Sequence, residues 1–128
     1  MRKRHLHVTG IVVLALLLTA CAAKKPVQGS ANQFDSDTYL TLVTTDNLIQ
    51  ATKTALANNA FPASIAGNVK TALNGLIAAY NAANVAYQAY HNAALTGQST
   101  PAQQAEVERS VANVQTATTN LTTVKGGK

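Results

Sequence analysis

The chain has no tryptophan and a single cysteine, Cys21. One cysteine excludes an intramolecular disulfide and any cysteine-rich metal knuckle. Carboxylates are scarce as well: Asp35, Asp37, Asp46, Glu106 and Glu108 are the whole set. Most of them lie near expected helix starts, where capping and the helix dipole account for them. Asp35 and Asp37 fall on different helix azimuths, so they do not form an acid/base pair. Past residue 20 the only histidine is His91. A metal centre needs several ligands at fixed spacing, so no metal and no cofactor is expected. There is neither a glycine-rich phosphate loop nor a nucleophile elbow. These absences predict a protein that is not an enzyme.

The first 20 residues have the build of a secretory signal. A basic start, Met1 to His7, carries Arg2, Lys3 and Arg4. An apolar run from Val8 to Leu18 follows, broken only by Thr9 and Gly10, and small residues Thr19 and Ala20 close it. A membrane-crossing helix needs about 20 apolar residues at ~1.5 Å each. The run from Val8 to Ala20 falls short, and Lys24, Lys25 and Pro26 block its extension. Cleavage between Ala20 and Cys21 is therefore expected.

The stretch Leu18-Thr19-Ala20-Cys21 resembles the lipobox of bacterial lipoprotein precursors. The resemblance implies that the Cys21 thiol is diacylglycerylated and that a dedicated peptidase cuts before it. The new amino group is then usually acylated, palmitate being the expected chain. A thiol suits thioether formation, being the strongest nucleophile among neutral side chains. Two or three acyl chains, at ~0.8 kcal/mol per buried CH₂, make such an anchor effectively permanent. The partner implied is a lipid bilayer. Ala22 stands where Gram-negative lipoproteins retained at the inner membrane carry aspartate. By that resemblance the expected location is the outer membrane, on its periplasmic or surface face. In a cell without one, it is the outer face of the cell membrane.

Removal of Arg2, Lys3 and Arg4 changes the charge balance. Seven basic side chains then stand against five acidic ones, a net +2 rather than +5. No expected helix carries a basic stripe, so nucleic acid is not an expected partner. Residues 21–33, with Lys24-Lys25-Pro26 and Gly29-Ser30, predict a lipidated cysteine on a flexible linker. Residues 34–128 predict one all-α domain. It is a small antiparallel three-helix bundle with coiled-coil-like packing, its helices at about 35–59, 62–96 and 100–125.

In the first helix, Asp35 is the expected N-cap, with Phe34 stapled onto Tyr39. Its apolar stripe is Tyr39, Leu42, Val43, Ile49 and Leu56, and the threonines face away. Asn58-Asn59 is the stop. The second helix starts around Pro62, ends at Gly97, and carries the clearest stripe. Val69, Leu73, Leu76, Tyr80, Ala83, Tyr87, Tyr90 and Ala94 alternate steps of four and three, the seam of close helix packing. The third has Thr100 as N-cap, Pro101 in the first turn and Gln103 closing a capping box. Its stripe is Val107, Val111, Val114, Ala117 or Thr118, Leu121 and Val124. Short connections make successive helices antiparallel.

Three roles remain open at this stage. The first is a membrane-tethered structural or interaction module that binds itself or an envelope partner along the second helix. The second is a binding module for an envelope glycan or peptide. Here Tyr80, Asn84, Tyr87 and Tyr90 would form the binding face, tyrosines stacking on sugars and asparagine supplying donors and acceptors. The third rests on the end of the chain, Lys125-Gly126-Gly127-Lys128. A terminal lysine on a lipid-anchored helical protein resembles the murein lipoproteins of enteric bacteria. That resemblance implies attachment of Lys128 to peptidoglycan through its ε-amine. Those proteins form one continuous heptad helix, whereas this chain has a linker, prolines and three helices.

Overall fold

The computed structural model describes residues 26–127. Three helices account for nearly all of it: α1 (Gln33–Ala57), α2 (Ala63–Leu95) and α3 (Pro101–Lys125). The expected all-α three-helix bundle is the observed fold. Residues 1–25, which hold the expected signal segment and Cys21, and Lys128 lie outside the described residues.

Each helix stops for a local reason. Asn58 caps α1 and Asn59 turns left-handed at φ 52°. The Ala60 amide then reaches back to Ala55 O (2.9 Å) and the Asn59 amide to Leu56 O (3.1 Å). That pair of bonds is the Schellman closure. Gly97 repeats it after α2 at φ 69°, with Gln98 N bonded to Ala93 O at 2.8 Å. The third helix opens on the expected capping box. Thr100 Oγ1 accepts from Gln103 N at 3.2 Å, and Gln103 Oε1 accepts from Thr100 N at 3.0 Å.

The first turn of α1 departs from expectation. Its N-cap is Asn32, whose Oδ1 accepts from the Asp35 amide at 2.9 Å. The helix therefore starts at Gln33, and Asp35 is released from capping to turn inward, fully buried. Phe34 does not staple onto Tyr39. It meets Tyr90 edge-on, ring centroids 5.1 Å apart. At the head of α2, Pro62 stands at the N-cap position rather than inside the first turn.

The core is a run of heptad layers. α2 contributes Val69, Leu73, Leu76, Ala83, Tyr87 and Tyr90, all buried, with Tyr80 and Ala94 half-buried, as its spacing predicts. In α1 the expected stripe is corrected. Tyr39 and Val43 are 42% and 38% exposed, whereas Thr38, Thr45 and Thr52 are buried. Counted from Asp35, steps of three and four give Asp35, Thr38, Leu42, Thr45, Ile49 and Thr52, so alternate layers are threonine. A buried threonine is tolerated where its hydroxyl returns to its own helix. Thr45 does so, donating to Thr41 O at 2.9 Å. Thr52 Oγ1 has no partner. In α3 the same stepping buries Ser110 and leaves Val111 half-buried.

The bundle is lopsided. α2 packs extensively on α3 and less on α1, while α1 and α3 scarcely touch. Phe34 lies against Tyr90, so the start of α1 adjoins the end of α2. At the opposite pole Lys125 lies 6.0 Å from the Phe61 ring. The second helix, at 33 residues about 50 Å long, outruns its 25-residue neighbours.

Candidate functional site

At the pole where the chain enters the bundle, a polar cluster forms around the buried Asp35 carboxylate. Asn32 and Asp35 are placed by the N-cap and first turn of α1, and Tyr87, Tyr90 and His91 by the last three turns of α2. His91 Nδ1 donates to Asp35 at 2.8 Å from Oδ2 and 3.0 Å from Oδ1. The Ala31 amide donates to Asp35 Oδ2 at 2.7 Å. The next residue, Ser36, accepts at its Oγ from the Val27 amide at 2.7 Å. Asn32 Nδ2 donates to the Tyr90 hydroxyl at 3.0 Å.

These bonds clasp the incoming segment onto two helices. The linker expected to run to residue 33 is thereby shortened, because from Val27 onward it is fastened to the bundle. A buried carboxylate is costly unless charge and hydrogen bonds compensate it. Here an imidazole N–H and a backbone N–H do so. The Tyr87 ring lies over His91, centroids 5.5 Å apart. Burial, reinforced by the Asp35 carboxylate, pushes the Tyr87 hydroxyl up to about 12. It therefore stays neutral well above physiological pH. Burial and then the Asp46 charge raise Tyr80 as well.

An aspartate holding a histidine by Nδ1 is one half of an acid/base triad. Its nucleophile half has no counterpart in the hydrogen bonding around His91. Ser36 Oγ is engaged by the Val27 amide, and the Tyr90 hydroxyl by Asn32. These hydrogen bonds tie the entering segment and the starts and ends of α1 and α2 together. Among the described residues no group of three or more His, Cys, Asp or Glu is placed to hold a metal ion.

The four residues of the sequence-predicted binding face differ in burial. Tyr87 and Tyr90 are core residues, 8% and 3% exposed. Only Tyr80 and Asn84 reach the surface, both half-buried. The heptad step that places Tyr87 and Tyr90 in the seam is the reason. Ala20, Cys21 and Lys128 lie outside the described residues.

Sequence reasoning missed the Asp35–His91 pair. Two signals point to an inward-facing Asp35, though not to its partner. Asn32, three residues ahead of Asp35, is an equally good cap, and Asp35 occupies a seam position of the α1 heptad.

Two surface grooves flank α1. One, of about 250 Å³ against α3, is bordered by Asp37 and Glu108. The other, of about 540 Å³ against α2, is bordered by Lys53 and Lys70. Among the described residues no helix is long and apolar enough to cross a membrane. No family model matches the chain, and neither a curated protein nor a solved structure matches it.

Proposed function

We propose that the chain is an exported lipoprotein, anchored through acylated Cys21, whose helical domain has a structural or protein-interaction role in a bacterial cell envelope. The observation that carries this is the position of the lone cysteine directly behind an apolar run too short to span a bilayer. The bundle is compatible with such an anchor. Its clasp at Val27 leaves five residues between Cys21 and the first fastened position. At ~3.5 Å per extended residue the domain would sit within about 20 Å of the lipid surface. Ala22 favours the outer membrane where the cell has one.

The test is intact-terminus mass spectrometry of the protein taken from its native envelope. An acylated peptide beginning at Cys21 is the expected result. A chain still beginning at Met1 would overturn the anchor.

A second reading, attachment to peptidoglycan through Lys128, is favoured by one geometric fact. Up-down-up order brings the chain in at one pole and carries α3 to the other. An anchor at Cys21 and a link at Lys128 would be held apart by a 25-residue helix, about 37 Å. A muropeptide mass on Lys128 supports it, and an unmodified Lys128 in every molecule removes it.

A further inference from the structure

Charge is sorted along the bundle. Asp37 in the first turns of α1 and Glu106 and Glu108 in the second and third turns of α3 lie at the pole where the chain enters, beside the buried Asp35, with Arg109 there paired to Glu106 at 2.8 Å. Below the level of Asp46 the described residues carry three lysines, one from each helix, and no carboxylate: Lys53, Lys70 and Lys125. Lys53 and Lys70 border the same groove from opposite walls, and neither makes an ion pair among the described residues. Between them lie Leu56, Leu73 and Ile77, with Leu73 buried as the floor.

We propose that this groove is the docking site for an acidic amphipathic helix of a partner protein. The proposal rests on the reading of the domain as an interaction module. Three observations select the occupant. The floor is apolar and both rims are cationic, so the complement is an apolar stripe flanked by carboxylates. The groove lies between two antiparallel helices, bordered by residues 53–57 of α1 and 66–77 of α2, and is open to solvent. A further helix can therefore lie in it and complete a four-helix packing, whereas a small ligand would be left largely uncovered. A second copy fits badly. Copies anchored on one membrane stand parallel, so lysine pole meets lysine pole.

The probe is a synthetic helix of about five turns, with leucine at the two seam positions of each heptad and glutamate beside them. Its binding to the full acylated chain in phosphatidylcholine nanodiscs is read by fluorescence anisotropy, with empty discs as the blank. Saturable binding that weakens with salt is expected. The double variant Lys53→Glu, Lys70→Glu should bind at least about tenfold more weakly and should bind the lysine-for-glutamate peptide instead. Both positions are exposed, and circular dichroism checks that the variant keeps its helices.

No saturable binding, or binding indifferent to the charge reversal, would overturn the proposal. So would cross-links between copies through Lys53 and Lys70 that the peptide does not displace, since a second copy would then be the occupant. An acylated Cys21 alongside failed peptide binding would sink the groove while leaving the anchor standing.

Discussion

α2 is packed from two sides by unlike neighbours. α3 presents Val107, Val114 and Leu121, each at most 1% exposed, with Ser110 as the one polar interruption. α1 presents Leu42 and Ile49 alternating with Thr38, Thr45 and Thr52. Apolar burial stabilises at roughly 25 cal/mol per Å². A layer of threonine methyls thus contributes far less than a layer of valine and leucine. The smaller seam is supplemented by the clasp at its head, where Asp35, His91, Asn32 and Tyr90 tie α1 to α2. The lesson is that one helix is held mainly by area and the other by less area plus a polar lock at one end. The α2–α3 hairpin is the firm part of the molecule, and α1 is the part that local chemistry retains.

The comparison breaks most visibly at the firm seam. Leu121→Ala removes a fully buried side chain and should cost about 3 kcal/mol, measured by urea unfolding. All three helices should then melt at a lower denaturant concentration. A loss confined to α3 would contradict the picture of a hairpin on which α1 depends.

Asp35→Ala attacks the lock. It removes the acceptor for His91 and for the Ala31 amide, and should cost about 2–3 kcal/mol. The loss should be local first. Hydrogen exchange should quicken at Val27, Ala31 and the first turns of α1, while α2 and α3 keep their protection. Uniform loss across all three helices would show that the seams do not differ in this way.

The lock also has a pH signature through Tyr87. Its hydroxyl sits at about 12 in the folded chain against an ordinary 10.0. Below about pH 10 it is neutral folded and unfolded, and its contribution is intact. Between about pH 10 and 12 only the unfolded chain ionises there, so stability falls as pH rises. Comparing urea unfolding at about pH 8 and about pH 11, the native chain should lose ~1.4 kcal/mol more than Tyr87→Phe does. Equal losses would place the hydroxyl in a less buried setting.

The smallest expected effect is a gain. Thr52 Oγ1 is buried without a partner, so Thr52→Val should raise stability by about 1 kcal/mol. Thr45→Val should gain less, because the Thr45 hydroxyl is bonded to Thr41 O. If both gain equally, the α1 seam lacks area alone, and the unmet hydroxyl adds nothing to its weakness.

The helices themselves were legible in the chain. The Thr100–Gln103 capping box, the Asn58-Asn59 stop and the Gly97 stop all stand where the sequence predicts them. The α2 seam was legible too, since its large residues leave one face to bury. The weak point was α1, where tyrosine and valine suggested one face and the packing chose another. Thr38, Thr45 and Thr52 gave no hydrophobic signal, and the start at Asn32 was hidden by the equally good cap at Asp35. The candidate site was harder still. The clasp joins side chains up to 58 positions apart, and no local pattern records such a meeting.

By itself the sequence determined where each helix starts and stops to within about two residues, because caps act over three or four positions. It also determined the antiparallel order, because the connections are too short for any other, and the features that point to a lipid anchor at Cys21. Tertiary structure alone decided which face of α1 turns inward, since an isolated helix has no inside until a neighbour removes water from one side. It also decided that Asp35 meets His91. That carboxylate became a lock only when α2 delivered an imidazole to it in a place solvent could not reach.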